Sequence, residues 1–352
     1  MQELSSTLVA YPGNLFGCFS SNRLTKDICG GYLWRLEFPQ THRQVDPEDK
    51  KNQFGGDARL VVLVSLSEKS LYSIMGSVHI SSHEARLACR QNQLTNTSGL
   101  APGYLQANLL ILPAQHATDF HDLCLRNPVS CPLLGKTMTP GDPITVQPAG
   151  CIQSPDFDIR TDFPQYRIYL KGKYLESRKD LLDVWTSSHV GFLIGCSFSF
   201  EDALTAAGLQ PRHQRTGTIV AMYRSNIPLL PAGIFTGGHC VVSMRPYRPE
   251  EVERVREVTR PYLSTHGEPV AWGWEGAKQL GITEINKPDF GEPQVFEKGE
   301  VPVFWACGVT PQMAVEAAGD RIKGLVFSHE PGHMLVTDWT AANLDKLRPG
   351  II

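Results

Sequence analysis

From Ser81 onward the chain alternates short apolar runs with short helical patterns, and its 31 glycines and 25 prolines concentrate between them. This rhythm constrains the fold more than any other feature. Apolar runs of strand length at 109–112, 167–170, 190–194, 219–223, 240–244, 303–305, 325–327 and 334–336 call for sheets. Helical patterns at 82–91, 117–125 and 203–207 supply elements to cover them, the first carrying Arg86 and Arg90 four apart on one face. Pro249 opens a further helix, the first turn being where proline fits, with Val252, Val255 and Val258 on one side. The sequence therefore predicts an α/β protein with mixed sheets and helices on their faces, its site built by long ordered loops.

Residues 1–74 depart from this pattern. The stretch 40–57 is polar and charged (Asp46, Glu48, Asp49, Lys50, Lys51) and closes on Gly55-Gly56, a linker-like composition. A strand-like run at 60–64 follows, then Met75-Gly76-Ser77. The expected organisation is an extension over 1–74, partly disordered or outside the native reading frame, ahead of one functional unit over 75–352.

The chain is long enough to bury a large core, and its 352 residues carry a formal net charge of -3 with acids and bases interspersed. A nucleic-acid binder would show a basic stripe, and none is present. No apolar run reaches the roughly 18 to 20 residues that cross a bilayer. The nine cysteines form no C-x-x-C pair, which removes zinc-knuckle and thioredoxin readings. Early Glu3 and Pro12-Gly13 interrupt anything resembling a secretory signal. A cytoplasmic location is expected, with a mitochondrial one as the alternative, and a homo-oligomer is compatible with this composition.

The run Gly195-Cys196-Ser197-Phe198-Ser199-Phe200-Glu201-Asp202 follows the apolar segment 190–194 and precedes a helical pattern stopped by Gly208. It reads as strand, glycine turn and helix start. Ser199 and Asp202 have capping-box spacing, making Ser199 the expected N-cap. Unpaired N–H groups at such a helix start suit an anionic group or a developing oxyanion. A second turn of this type runs through Cys307-Gly308-Val309-Thr310-Pro311, with Thr310 as expected N-cap, and the two could converge at the carboxyl edge of one sheet. Arg126, Arg160, Arg224 and Arg245 stand in turn-like settings, where a guanidinium either captures a carboxylate or ties down its own loop. His329-Glu330-Pro331-Gly332-His333 spells the H-E-x-x-H zinc motif, but Pro331-Gly332 favours a turn over the required helix. Cys196 would gain nucleophilicity from a helix start, yet no histidine stands in a context that marks it as partner.

Taken in order, these motifs resemble the hydro-lyase family that includes the D-glutamate cyclases. The matching blocks begin with Thr97-Ser98-Gly99-Leu100-Ala101-Pro102-Gly103-Tyr104-Leu105-Gln106-Ala107-Asn108, then Arg126-Asn127-Pro128 and Asp158-Ile159-Arg160-Thr161-Asp162. They continue through the run from Gly195 to Glu201, Tyr223-Arg224-Ser225-Asn226, Met244-Arg245-Pro246, Lys287-Pro288-Asp289-Phe290-Gly291, the segment 302–311, and Pro331-Gly332-His333-Met334 with Thr337-Asp338. The likeness spans about 81–338, and the run Cys307-Gly308-Val309-Thr310-Pro311 with His333 looks like that of compact, bacterial-type members; residues 1–74 have no counterpart in it.

The resemblance implies two intertwined α/β subdomains and a lyase that eliminates water from a small carboxylate or amino-acid substrate. For the cyclase members that reaction is D-glutamate to 5-oxo-D-proline plus water. In that chemistry the N–H groups from Cys196 to Ser199 suit the oxyanion, and Arg160, Arg224 or Arg245 suit the α-carboxylate. Cys196, Ser197, Glu201, Asp158, Asp162 and His333 are the candidate catalytic residues, and Ser199, Asn226, Gln106, Asn108 and Thr310 complete the candidate substrate contacts. No cofactor fingerprint occurs; isolated carboxylates and histidines leave room for a divalent metal. Two other classes compete: a non-catalytic dicarboxylate-binding protein using the same arginines, and a cysteine-dependent amidase or hydrolase using Cys196.

Overall fold

The computed structural model describes residues 22–26, 32–36, 65–66, 80–97 and 99–346. The chain divides into two units, Met1–Ile74 and Met75–Ile352. In the first, β1 (Asn22–Lys26), β2 (Tyr32–Leu36) and β3 (Ser65–Leu66) pair antiparallel in that order. The linker expected at 40–57 and the strand expected at 60–64 lie outside the described residues.

The second unit is an α/β fold with two sheets. The larger comprises β4 (Tyr104–Pro113), β5 (Leu133–Thr137), β6 (Val146–Gln147), β7 (Tyr166–Leu170), β8 (Lys173–Arg178) and β9 (His189–Gly195). The smaller holds β10 (Ala221–Pro228), β11 (His239–Tyr247), β12 (Ala271–Trp272) and β13 (Val301–Ala306), in the order β10-β11-β13-β12. The chain then returns to the larger sheet with β14 (Leu325–His329) and β15 (Leu335–Thr340). The larger order is β6-β5-β9-β4-β14-β7-β8, with β15 sharing the β4 edge that β14 occupies further along. All these described pairings are antiparallel.

Around the sheets lie α1 (Ser82–Arg90), α2 (Ala117–Arg126), α3 (Glu201–Ala206), α4 (Arg212–Thr216), α5 (Val252–Thr259), α6 (Gly273–Gln279) and α7 (Thr310–Ala318). Ser81 and Glu84 close a reciprocal capping box at the start of α1, which explains its sharp beginning. Pro249 opens a 3-10 turn, Pro249–Glu251, and α5 follows it. The strand expected from 219 begins at Ala221, because the backbone of Ile219 is already engaged by Glu292.

β4 is buried along nine of its ten residues, and its alternation sorts them between two cores. Leu105, Leu109 and Ile111 join Phe200, Tyr247 and Trp305 in one cluster, which ties both sheets together. Leu110 and Leu112 meet Phe120 and the α7 residue Ala314 in another. Burying one such side chain contributes about 1.5–3 kcal/mol, so this double-faced strand is a rigid reference for the loops at its ends. Pro331-Gly332 makes a turn between β14 and β15, with Gly332 at φ +85°, and the H-E-x-x-H spelling has no helix under it.

Candidate active site

β9 ends at Gly195, and the chain passes through Cys196 into a 3-10 turn, Ser197–Phe200, and then α3. A Cβ on Gly195 would lie 1.9 Å from the Ser264 carbonyl oxygen, so glycine is what lets the 264–266 loop pack against this strand end. β13 ends beside Cys307, and Gly308 leads towards α7; a Cβ there would lie 1.8 Å from Asn108 Nδ2. Asn108 donates to the carbonyls of Gly195 (2.8 Å) and Ile194 (3.3 Å), so one β4 side chain touches both turns. Cys196, Phe198, Cys307, Val309, Met313 and Met334 pack together over them. The turns converge, but from different sheets and not at one sheet's edge. Antiparallel neighbours end at opposite edges, and it is the packing of two sheets that brings these ends together.

The caps differ from expectation. The Ser199 hydroxyl accepts from Gln106 N–H (2.9 Å), tying the 3-10 turn to β4, while the Asp202 carboxylate takes the Gly103 N–H; α3 starts without a side-chain cap. Thr310 is the first helical residue of α7 and not its N-cap. Its hydroxyl donates to Cys307 C=O (2.7 Å) and accepts from Val241 N–H (3.0 Å), binding the second turn to β11. In both places a neighbouring strand supplies a partner that local sequence does not reveal.

Beneath the first turn lies a dry ionic assembly. Glu201 is 1% exposed and Arg245 0%. Glu201 Oε1 accepts from Arg245 Nε (2.9 Å) and Nη2, and Oε2 accepts from His213 Nε2 (3.0 Å) and Gln214 Nε2 (2.9 Å). Arg245 also donates to the hydroxyls of Ser243 (3.0 Å) and Ser197 (3.2 Å). Its guanidinium lies 5.2 Å from the ring centroids of both Phe200 and Trp305, contacts that offset part of its desolvation. Burial opposes ionising Glu201, but His213 and Arg245 outweigh it and hold the carboxyl below its ordinary value. Arg245 is thus committed to internal partners and is no free carboxylate clamp.

The other sequence candidates divide. Gln106, Asn108, Cys196, Ser197, Ser199, Glu201, Arg245 and, through Cys307, Thr310 gather around the two turns. His333 sits in the adjoining Glu330–Met334 segment, its Nδ1 3.0 Å from Pro331 O. Arg160 closes on Asp158 within its own loop (2.9 and 2.6 Å), and Asp162 is gripped by Arg90. Arg224 is exposed and pairs with Glu316 and Asp289, while Asn226 holds Gln279 O. Arg160 is thus tied within its own loop, whereas Arg224 reaches across to Asp289 and to Glu316 on α7. Burial pushes the Cys196 thiol far above its ordinary value and Cys307 up to about 11, which keeps both as thiols and disfavours a cysteine nucleophile.

Two histidines escaped the sequence reading. His213 keeps Nδ1 buried and without a hydrogen-bond partner while Nε2 meets Glu201. His266, at φ +86°, pairs Nδ1 with Val129 O (2.8 Å) and faces the Gly195 backbone as well. Proximity to Pro211 marks only a helix start, so no local signal singles out His213. A left-handed non-glycine residue before Gly267 is equally invisible in sequence. Among the described residues, no group of three His, Cys, Asp or Glu side chains is arranged to hold a metal ion.

Comparison with known proteins identifies the family. A family model described as D-glutamate cyclase matches residues 190–338. A protein named "Putative hydro-lyase" from Rubrobacter xylanophilus is 50% identical over 256 residues, covering 72% of this chain and 94% of the relative. The chain belongs to the hydro-lyase family that includes the D-glutamate cyclases. Another member of that family, from Schizosaccharomyces pombe, is 48% identical over 258 residues (73% of this chain, 84% of the relative), and one from Bacillus licheniformis is 46% identical over 256 (72% and 93%). The cyclase match encloses Cys196, Glu201, His213, Arg245 and the Cys307 turn, whereas Gln106 and Asn108 lie before it. No described helix is long and apolar enough to cross a membrane.

Proposed function

We propose that this chain is a water-eliminating lyase acting on a small carboxylate, with ring closure of D-glutamate to 5-oxo-D-proline as its reaction. The observation that carries the reading is the meeting of two strand-to-helix turns above the buried Glu201–Arg245 pair, in a chain of this family. Ring closure needs a folded substrate, stabilisation of a tetrahedral oxyanion and proton transfer to the departing oxygen. Of the N–H groups expected to suit the oxyanion, those of Cys196 and Ser199 are already bonded to Gln106 O and Cys196 O; Ser197 and Phe198, at the opening of the 3-10 turn, remain, the latter beside the Cys196 sulfur. The Ser197 hydroxyl accepts from Arg245, leaving its own proton available to a substrate oxygen. Cys196, Phe198 and Cys307 retain 6–8% exposure while the ions beneath retain almost none, so substrate would enter over the turns.

The test incubates the intact protein with D-glutamate, L-glutamate and related mono- and dicarboxylic acids, following product formation and thermal shift together. Water-eliminated product from D-glutamate is the expected outcome. A thermal shift without product would move the chain to the ligand-binding class, and product lost on thiol alkylation and in Cys196→Ser would favour cysteine chemistry. Neither shift nor product with any of the acids would sink the reading.

A further inference from the structure

The Glu201 carboxylate is saturated. Its two oxygens accept from Arg245 Nε and Nη2, His213 Nε2 and Gln214 Nε2, so every direction around it is taken. A carboxylate in that state orients its partners; it has no lone pair facing a substrate proton. The group it orients is the His213 imidazole, 1% exposed, with the Phe198 ring stacked on it at 5.6 Å and an interplanar angle of 22°. An ionised carboxylate at Nε2 fixes a ring proton there, and in the neutral imidazole that places the lone pair on Nδ1. That atom is buried and makes no hydrogen bond. An unpaired buried polar atom costs about 1–3 kcal/mol; of the six such side-chain atoms among the described residues, His213 Nδ1 is the one on a ring whose other nitrogen is held by a carboxylate.

We propose that His213, through Nδ1, is the proton-transfer group of this site, and that Glu201 is its positioning residue. The assignment rests on the lyase reading above. In ring closure of D-glutamate the α-ammonium loses two protons and the γ-carboxylate loses one oxygen. The N–C bond forms, a C–O bond breaks, and both protons leave with that oxygen as water. His213 Nδ1 carries the protons one at a time from nitrogen to oxygen and ends each turnover neutral, with Glu201 stabilising the transient imidazolium from the opposite nitrogen. Carboxylate-held histidines serve as general bases in this way. His266 is the weaker candidate: its ring also faces the Gly195 backbone, and the partner of its Nδ1 is a carbonyl, which offers an imidazolium no countercharge.

The experiment compares wild type with His213→Gln and His213→Ala on whichever acid wild type converts. His213→Gln should lose about a thousandfold in kcat with KM within about threefold, and added imidazole should restore His213→Ala about tenfold or more. A merely structural role predicts no rescue by imidazole. Retention of wild-type kcat in a folded His213→Gln overturns the proposal. Nitrogen-15 NMR of wild type provides a reading that needs neither a variant nor a substrate: at pH 7 the His213 proton should reside on Nε2, and a proton on Nδ1 overturns the assignment. Should wild type convert none of the acids, the lyase reading falls, and the NMR result alone decides for or against a free Nδ1.

Discussion

Two clusters of guanidinium and carboxylate groups stand in this protein, made of the same side chains and put to different uses. One joins Arg86, Arg90, Arg160, Asp156, Asp158, Asp162 and Asp338 between α1, the 151–163 loop and β15. Most of its members are partly exposed, and its pairs link chain segments or close on themselves within one loop. The other joins Arg245, Glu201 and His213 in a dry interior, with the serines 197 and 243 filling remaining donors. The first cluster leaves its aqueous boundary to water. Each leaves a buried nitrogen without a hydrogen-bond partner, Arg86 Nε in the first and His213 Nδ1 in the second. What separates a fastening from a candidate reaction centre is that the second nitrogen belongs to an imidazole, which can take up and return a proton near neutral pH, whereas a guanidinium stays charged.

The sharpest way to break this contrast is to remove one partner from the dry pair. Arg245→Met should cost about 3–5 kcal/mol, because Glu201 would remain buried without its guanidinium partner; urea denaturation followed by circular dichroism measures it. A loss below 1 kcal/mol would show that the assembly is better hydrated than its geometry indicates.

Acid should act next, and mainly on the dry interior. Burial pushes His266 and His329 down to about 4 from an ordinary 6.5. Unfolded, they take up protons near 6.5 while the folded protein does not, so stability falls as pH drops from 6.5 towards 4. The slope should be about 1.4 kcal/mol per pH unit for each ring. Glu201 adds to the loss below its ordinary 4.5, since its ionised form is the one the fold favours. Urea midpoints across this range check both, and a flat profile would contradict the burial of these groups.

The smallest effect belongs to Arg160→Ala. Its loop pair with Asp158 is partly exposed, so stability should change by less than about 1 kcal/mol and turnover should stay at the wild-type level. A large fall in kcat at retained stability would return Arg160 to the site as a substrate clamp.

Much of the scaffold was legible in sequence because strand-length apolar runs and Pro331-Gly332 are local signals with local physical causes. The two glycine turns were legible for the same reason. Their sheet membership was not, since antiparallel order depends on long-range pairing. Ser199, Thr310 and Asp202 carry capping patterns, yet β4, β11 and Gly103 compete for their oxygens and win. Arg160 and Arg245 look alike in sequence, both arginines beside a turn. Only the fold shows that one bonds an aspartate two residues away and the other a glutamate 44 residues away. His213 was unreadable because its decisive feature, an empty nitrogen opposite an occupied one, belongs to three-dimensional space.

The attachment of the two turns to separate sheets has a mechanical consequence. Cys196 and Cys307 meet across a seam whose spacing is set by how two slabs of β-structure lie against each other through Phe200, Tyr247 and Trp305. A sliding of that seam by a fraction of an ångström would leave every strand intact and still shift one turn against the other. Side chains remote from any substrate, deep in the inter-sheet layer, therefore act as the spacers that calibrate the site.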